Sequence, residues 1–128
     1  LFKVEEETVE EEKEDRKGII TIDELDKVEL KVGQIKEVEK IAKARKLYKL
    51  QVDVGEKELR TIVSGLVPYY TEEELTGKQV VVVTNLKPAK LCGIESNGML
   101  LAAGDDDVVK LLVLDNNNGT LENGSNIH

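Results

Sequence analysis

This sequence predicts an all-β fold, a five-stranded barrel with a short helix between strands three and four and a C-terminal extension. Three features point there. Apolar and charged residues alternate over short stretches, glycines and prolines punctuate those stretches, and the two helix-start signatures each open only a short segment. At 128 residues the chain has room for one domain and hardly for two, because an independent core needs about 100 residues.

The first 18 residues stand apart. Val4 to Lys17 is dominated by Glu, lacks apolar periodicity and cannot bury enough surface to offset chain entropy. Residues 1–18 are therefore expected to be a disordered acidic linker, and 19–128 the folded domain. Starting at Leu1 without Met, the arm is expected to be the trailing edge of something larger.

Thr21 with Glu24 forms a capping box, which predicts one helical turn from Ile22 to Lys27. Val28, Leu30, Val32, Ile35 and Val38 then alternate with charged residues, predicting a half-buried first strand broken at Gly33 by a bulge or bend. Leu47 to Val54 repeats the alternation, with Tyr48, Leu50, Val52 and Val54 on one face. Gly55-Glu56-Lys57 reads as a turn, and Leu59 to Val63 as a third strand closed by Ser64-Gly65. A second capping box at Thr71 and Glu74 starts a short helix ended by Gly77. Gln79 to Thr84 is a valine run fit for burial on both faces, Asn85 to Gly98 reads as an irregular loop, and Met99 to Ala103 as a fifth strand. Three strands, a short helix and two more strands is the order of an OB barrel. Val108 to Leu114 is long and apolar enough to add a strand, and Asp115 to Asn126 is an Asn/Gly-rich turn region.

A net charge of −8 argues against a nucleic-acid partner until its distribution is followed. Leu1 to Lys17 holds eight acids against four bases, whereas Lys27 to Arg60 holds ten bases against six acids. The middle of the chain is locally basic. No apolar run approaches the roughly 20 residues of a membrane span and no signal peptide is evident, so a cytoplasmic protein is expected. One cysteine, Cys92, and one histidine, His128, supply neither a disulfide nor a metal set. No nucleophile–base pair, paired carboxylates or phosphate-cradling glycine loop is evident, so neither catalysis nor a cofactor is expected. Asp105-Asp106-Asp107 lacks the spaced glycine and bidentate Glu of a calcium loop.

The segment Asn85 to Met99 carries the most chemistry. Lys87 and Lys90 flank Pro88, which stiffens the loop and lowers the ordering cost of presenting two cations, while Asn85 and Ser96 can bond phosphate or ribose oxygens. A plain inter-strand loop with solvated lysines satisfies the same pattern, so these residues alone leave RNA contact open.

Six stretches in order carry a stronger signal: Glu29-Leu30-Lys31-Val32-Gly33, Lys46-Leu47-Tyr48, Val52-Asp53-Val54-Gly55, Arg60-Thr61-Ile62-Val63-Ser64-Gly65, Asn85-Leu86-Lys87-Pro88-Ala89-Lys90-Leu91 and Gly93-Ile94-Glu95-Ser96-Asn97-Gly98-Met99. With them the chain resembles the tRNA-binding domain shared by the C-terminal part of methionyl-tRNA synthetase, free-standing structure-specific tRNA-binding proteins, endothelial monocyte-activating polypeptide II and the CsaA-type export chaperone. The resemblance implies an OB barrel gripping tRNA by shape near its outer corner, with Lys31, Arg45, Lys46, Arg60, Ser64, Asn85, Lys87, Lys90 and Ser96 as the tRNA-binding residues. It further implies a non-catalytic domain of an aminoacyl-tRNA synthetase, methionyl before lysyl or tyrosyl, with the catalytic domain as a partner in the same chain or complex. A cytokine-like signalling polypeptide and an export chaperone are the alternatives. The chain departs from the family at Ile41-Ala42-Lys43-Ala44-Arg45, where relatives carry a His-Pro-Asn-Ala-Asp/Glu stretch.

Aromatic content is an independent check. Only Phe2, Tyr48, Tyr69 and Tyr70 are available for base stacking, which favours recognition of folded RNA through its backbone over single-strand binding. Val108, Val109, Leu111, Leu112, Val113 and Leu114 form an apolar run that suits either a homodimer interface or an intramolecular strand.

Overall fold

The computed structural model describes residues 17–128, so the expected linker over 1–18 lies almost wholly outside the described residues. Helix α1 (Ile22–Leu25) begins at Thr21, whose hydroxyl accepts the Glu24 N–H while the Glu24 carboxylate answers the Thr21 N–H. Strands β1 (Leu30–Ile41), β2 (Ala44–Asp53) and β3 (Arg60–Ser64) form an antiparallel meander. Helix α2 (Glu72–Leu75) starts with the same reciprocal cap at Thr71 and Glu74 and buries Leu75. Strand β4 (Gln79–Val83) then returns beside β1, and β7 (Met99–Leu100) lies beside β4, giving the order β3-β2-β1-β4-β7; the end strands β3 and β7 are not paired with each other, so the expected barrel is OB-like in strand order but its sheet is not closed.

The core forms where the alternating faces converge. Tyr48, Leu50 and Val52 of β2 pair across to Ile62 and its neighbours on β3 and to Ile35 and Val38 on β1, all pointing inward. The valines of β4 are buried on both faces, as their run implied, because Val80 and Val82 join this core while Val81 and Val83 lie against the other side.

Gly33 is not the site of the break. β1 runs unbroken through it, and the register slips between Ile35 and Glu37 instead. Gly33 is required by crowding: a Cβ there would stand 2.6 Å from Val82 Cγ2 and 2.9 Å from Val52 Cγ1, so the strand packs where only a hydrogen fits.

Beyond β4 the structure is more regular than expected. The segment read as an irregular loop contains a hairpin, β5 (Ala89–Leu91) and β6 (Ile94–Ser96). The expected fifth strand is split into β7 and β8 (Ala102–Gly104), and β8 pairs with β9 (Val109–Leu111). The apolar run at 108–114 therefore contributes an intramolecular strand whose Leu111 is buried, leaving Val108, Leu112 and Val113 exposed. Finally β10 (Asn126–Ile127) pairs with Leu30 and Lys31, on the side of β1 that β2 vacates beyond Asp53.

Candidate nucleic-acid interface

The cations expected to meet phosphate sit mainly on two hairpins. In the first, β1 and β2 are joined through Ala42 and Lys43, and β2 opens with exposed Arg45 and Lys46. Arg45 and Lys46 fall in the register slip between the Lys40–Tyr48 and Ile41–Ala44 pairs, which leaves them unpaired with β1. Lys43 stands exposed at the same tip. It is not among the residues that the resemblance names, although the run Lys43-Ala44-Arg45-Lys46 signals it.

In the second hairpin Lys87 and Lys90 are exposed, with Lys90 opposite Glu95. The turn is Cys92-Gly93 with φ of 51° and 78°, two left-handed residues as a two-residue hairpin loop requires. This hairpin lies along β3. The Val63 N–H donates to Ser96 Oγ at 2.9 Å, and the Asn97 N–H to the Thr61 carbonyl at 2.8 Å. Numbering falls along β3 as it rises along β6, so the hairpin tip points toward Gly65 and the Lys46 end of β2. Arg60 pairs with Val52, six residues along β2 from Lys46, or roughly 20 Å at about 3.3 Å per residue. The expected cations thus form an elongated strip rather than one pocket.

Several of the expected RNA contacts have their polar atoms engaged inside the protein. Asn85 Oδ1 accepts from Glu29 N–H at 2.8 Å and its Nδ2 donates to the Lys27 carbonyl at 2.6 Å, so the amide clamps the segment before β1. Ser96 is 6% exposed and its hydroxyl is spent on Val63. Ser64 ends β3, half-buried opposite Tyr48. Lys31 is half-buried and donates to Asn126 Oδ1.

Arg60 is the most enclosed of the expected cations, its side chain 13% exposed. Its Nε and Nη2 each donate to a Glu56 carboxylate oxygen at 2.8 Å. Its Nη1 donates to the Thr84 carbonyl at 2.7 Å and reaches the Asn97 carbonyl at 3.5 Å. The hydrogen bonds to Arg60 hold the Glu56 carboxyl below its ordinary range, and the same bonds push the guanidinium further up against the opposing effect of burial. Glu56, four residues before Arg60 across a turn, was the legible sign of this pairing.

The described aromatics are also committed. Tyr48 is buried, its hydroxyl donating to the Tyr70 carbonyl at 2.7 Å, and burial pushes that hydroxyl's pKa up. Tyr70 Oη accepts from Leu111 N–H at 3.0 Å, and Tyr69 Oη donates to the Asp106 carbonyl at 2.8 Å. Only Tyr69 and Tyr70 keep part of a ring at the surface among the described residues, too few for a base-stacking platform.

Residues 30–125, nearly the whole described fold, match the family described as putative tRNA binding domain. The chain belongs to that family. Among its relatives, the methionine–tRNA ligase of Methanococcus maripaludis is 54% identical over 114 residues, which is 89% of this chain and 17% of that protein. The corresponding ligase of Methanosphaera stadtmanae is 50% identical over 119 residues, 93% of this chain and again 17% of the relative. The chain thus spans about a sixth of these relatives' length. Among solved structures, a methionyl-tRNA-synthetase-related protein from Pyrococcus horikoshii superposes with a TM-score of 0.77 at 40% identity, covering 88% of this chain and 100% of the other. The CsaA chaperone protein of Picrophilus torridus superposes at 0.76 with 30% identity, covering 86% and 100% respectively. In this putative tRNA binding domain no described helix is long and apolar enough to cross a membrane.

Proposed function

We propose that this domain grips folded tRNA through phosphate and backbone contacts, without catalysing a reaction itself, as an auxiliary part of an aminoacyl-tRNA synthetase, methionyl above others. The family match across residues 30–125 carries this reading, and the methionine–tRNA ligase relatives favour that synthetase. Its chemistry fits the exposed cations: Arg45 and Lys46 on one hairpin and Lys87 and Lys90 on the other neutralise phosphates along a strip, with Lys31 and Ser64 at its margins. Gripping backbone rather than bases gives little preference among tRNA species, and tethering raises the effective tRNA concentration at a catalytic site. Both act in the cytoplasm.

A salt titration of tRNA binding tests this. Lys87→Ala, Lys90→Ala, Arg45→Ala and Lys46→Ala should each weaken binding by about 1 kcal/mol and flatten the dependence of log affinity on log salt by about one unit. A chain starting at Gly18 should bind equally or slightly better, since the acidic arm repels phosphate. Wild-type affinity in all four variants at every salt concentration rules the strip out. The exposed Val108, Leu112 and Val113 favour self-association as a second property, which a monomer mass in light scattering at micromolar concentration excludes.

A further inference from the structure

The β5–β6 hairpin is an excursion. It leaves the main sheet after Thr84 at the end of β4 and returns at Asn97 just before β7, and the carbonyls of those two residues are the ones that face Arg60 Nη1. Arg60 opens β3, so its guanidinium spans from one sheet strand to both feet of the excursion. Glu56 holds the other edge of the guanidinium through two bonds of 2.8 Å. Of the five N–H donors on a guanidinium, these contacts engage four.

We infer that Arg60, fixed by Glu56, is a positioning residue for tRNA binding: it clasps both feet of the β5–β6 hairpin, sets where Lys87 and Lys90 stand, and does not itself meet phosphate. This rests on the tRNA-binding reading and deepens it. To reach a phosphate the guanidinium would have to leave a bidentate carboxylate and uncover two carbonyls, one of them bonded at 2.7 Å. The planar fork matters as much as the charge, because a lysine ammonium cannot serve a carboxylate and two carbonyls in one plane. The remaining anchors are Ser96 Oγ and the single backbone bond from Asn97 to Thr61 at the second foot, and at the first foot the Asn85 amide, bonded to Glu29 and Lys27.

The test separates a clasp from a phosphate contact by sign. Glu56→Gln breaks the ion pair at constant size. A phosphate-binding Arg60, released from its competitor, gives tighter binding and a steeper salt slope; a clasp gives binding several-fold weaker with the slope unchanged. Arg60→Ala should likewise weaken binding several-fold at unchanged slope, whereas Lys87→Ala flattens the slope by about one unit. Arg60→Lys should bind as poorly as Arg60→Ala, and near-wild-type affinity in Arg60→Lys overturns the inference. Amide hydrogen exchange on the free chain provides a readout independent of RNA. Amides from 87 to 97 should exchange faster in Glu56→Gln and Arg60→Lys while those of the β1–β2 ladder stay at wild-type rates, and unchanged exchange in the hairpin also overturns it. Absence of salt-dependent tRNA binding in the wild type, by contrast, removes the proposed function while leaving the exchange result to judge the clasp.

Discussion

The β1–β2 and β5–β6 hairpins both present exposed lysines, yet they are held by different means. β1 and β2 run for 12 and 10 residues, pair with each other and with β3 and β4, and carry core residues on their inner face. β5 and β6 run for three residues each, β5 is exposed throughout, and mainly side chains, with the one backbone bond from Asn97, attach the pair to the main sheet. The first hairpin's position follows from backbone ladder and burial. That of the second follows from a few polar bonds, most of which depend on one side chain each. A binding surface built from both is therefore firm at one end and adjustable at the other.

The sharpest way to test that contrast is to truncate one leucine in each hairpin. Leu50 of β2 is 0% exposed and belongs to the core, so Leu50→Ala should cost roughly 2–5 kcal/mol in denaturant unfolding. Leu91 of β5 is 41% exposed, and Leu91→Ala should stay within about 0.5 kcal/mol. Similar losses at both sites would erase the distinction. A middle-sized effect is expected at Ser96→Ala, which strands the N–H of buried Val63 at a cost of roughly 1–3 kcal/mol. Chemical-shift changes confined to β3, β5 and β6 should accompany it, and shifts spread along β1 would contradict local anchoring. The smallest effect concerns the tip. Cys92 holds a φ of 51°, a left-handed conformation that asparagine accepts more readily, so Cys92→Asn should stabilise the chain by a few tenths of a kcal/mol. A lower melting temperature in that variant would mean that the thiol makes a contact worth keeping.

The same contrast explains what could be read in advance. Alternation at Tyr48, Leu50, Val52 and Val54, the valine run of β4 and the two capping boxes are local patterns, and each produced the element expected of it. The β5–β6 hairpin escaped because Pro88, Gly93 and Gly98 punctuate it and its turn is Cys-Gly, not the Asn-Gly or Asp-Gly that announces a two-residue loop. Gly33 looked like a break because glycine in a strand has two meanings, bend or close approach, and only the packing of Val82 and Val52 decides between them. Asn85 and Ser96 suit phosphate by residue type and Arg60 is named by the resemblance, and none of the three announces the bonds it makes inside the protein. Their partners Glu29, Val63 and Thr84 lie 56, 33 and 24 positions away, beyond any local pattern.

The short strand β10 has a consequence for the edge of β1. Ile127 sits across from Leu30 and Asn126 across from Lys31, on the flank that β2 leaves bare past Asp53. An uncovered flank of that kind offers a row of backbone N–H and C=O groups to any extended chain that drifts past, and two residues are enough to occupy it. In that sense β10 is a bookend, which keeps the sheet from being lengthened by a stranger's strand at this point.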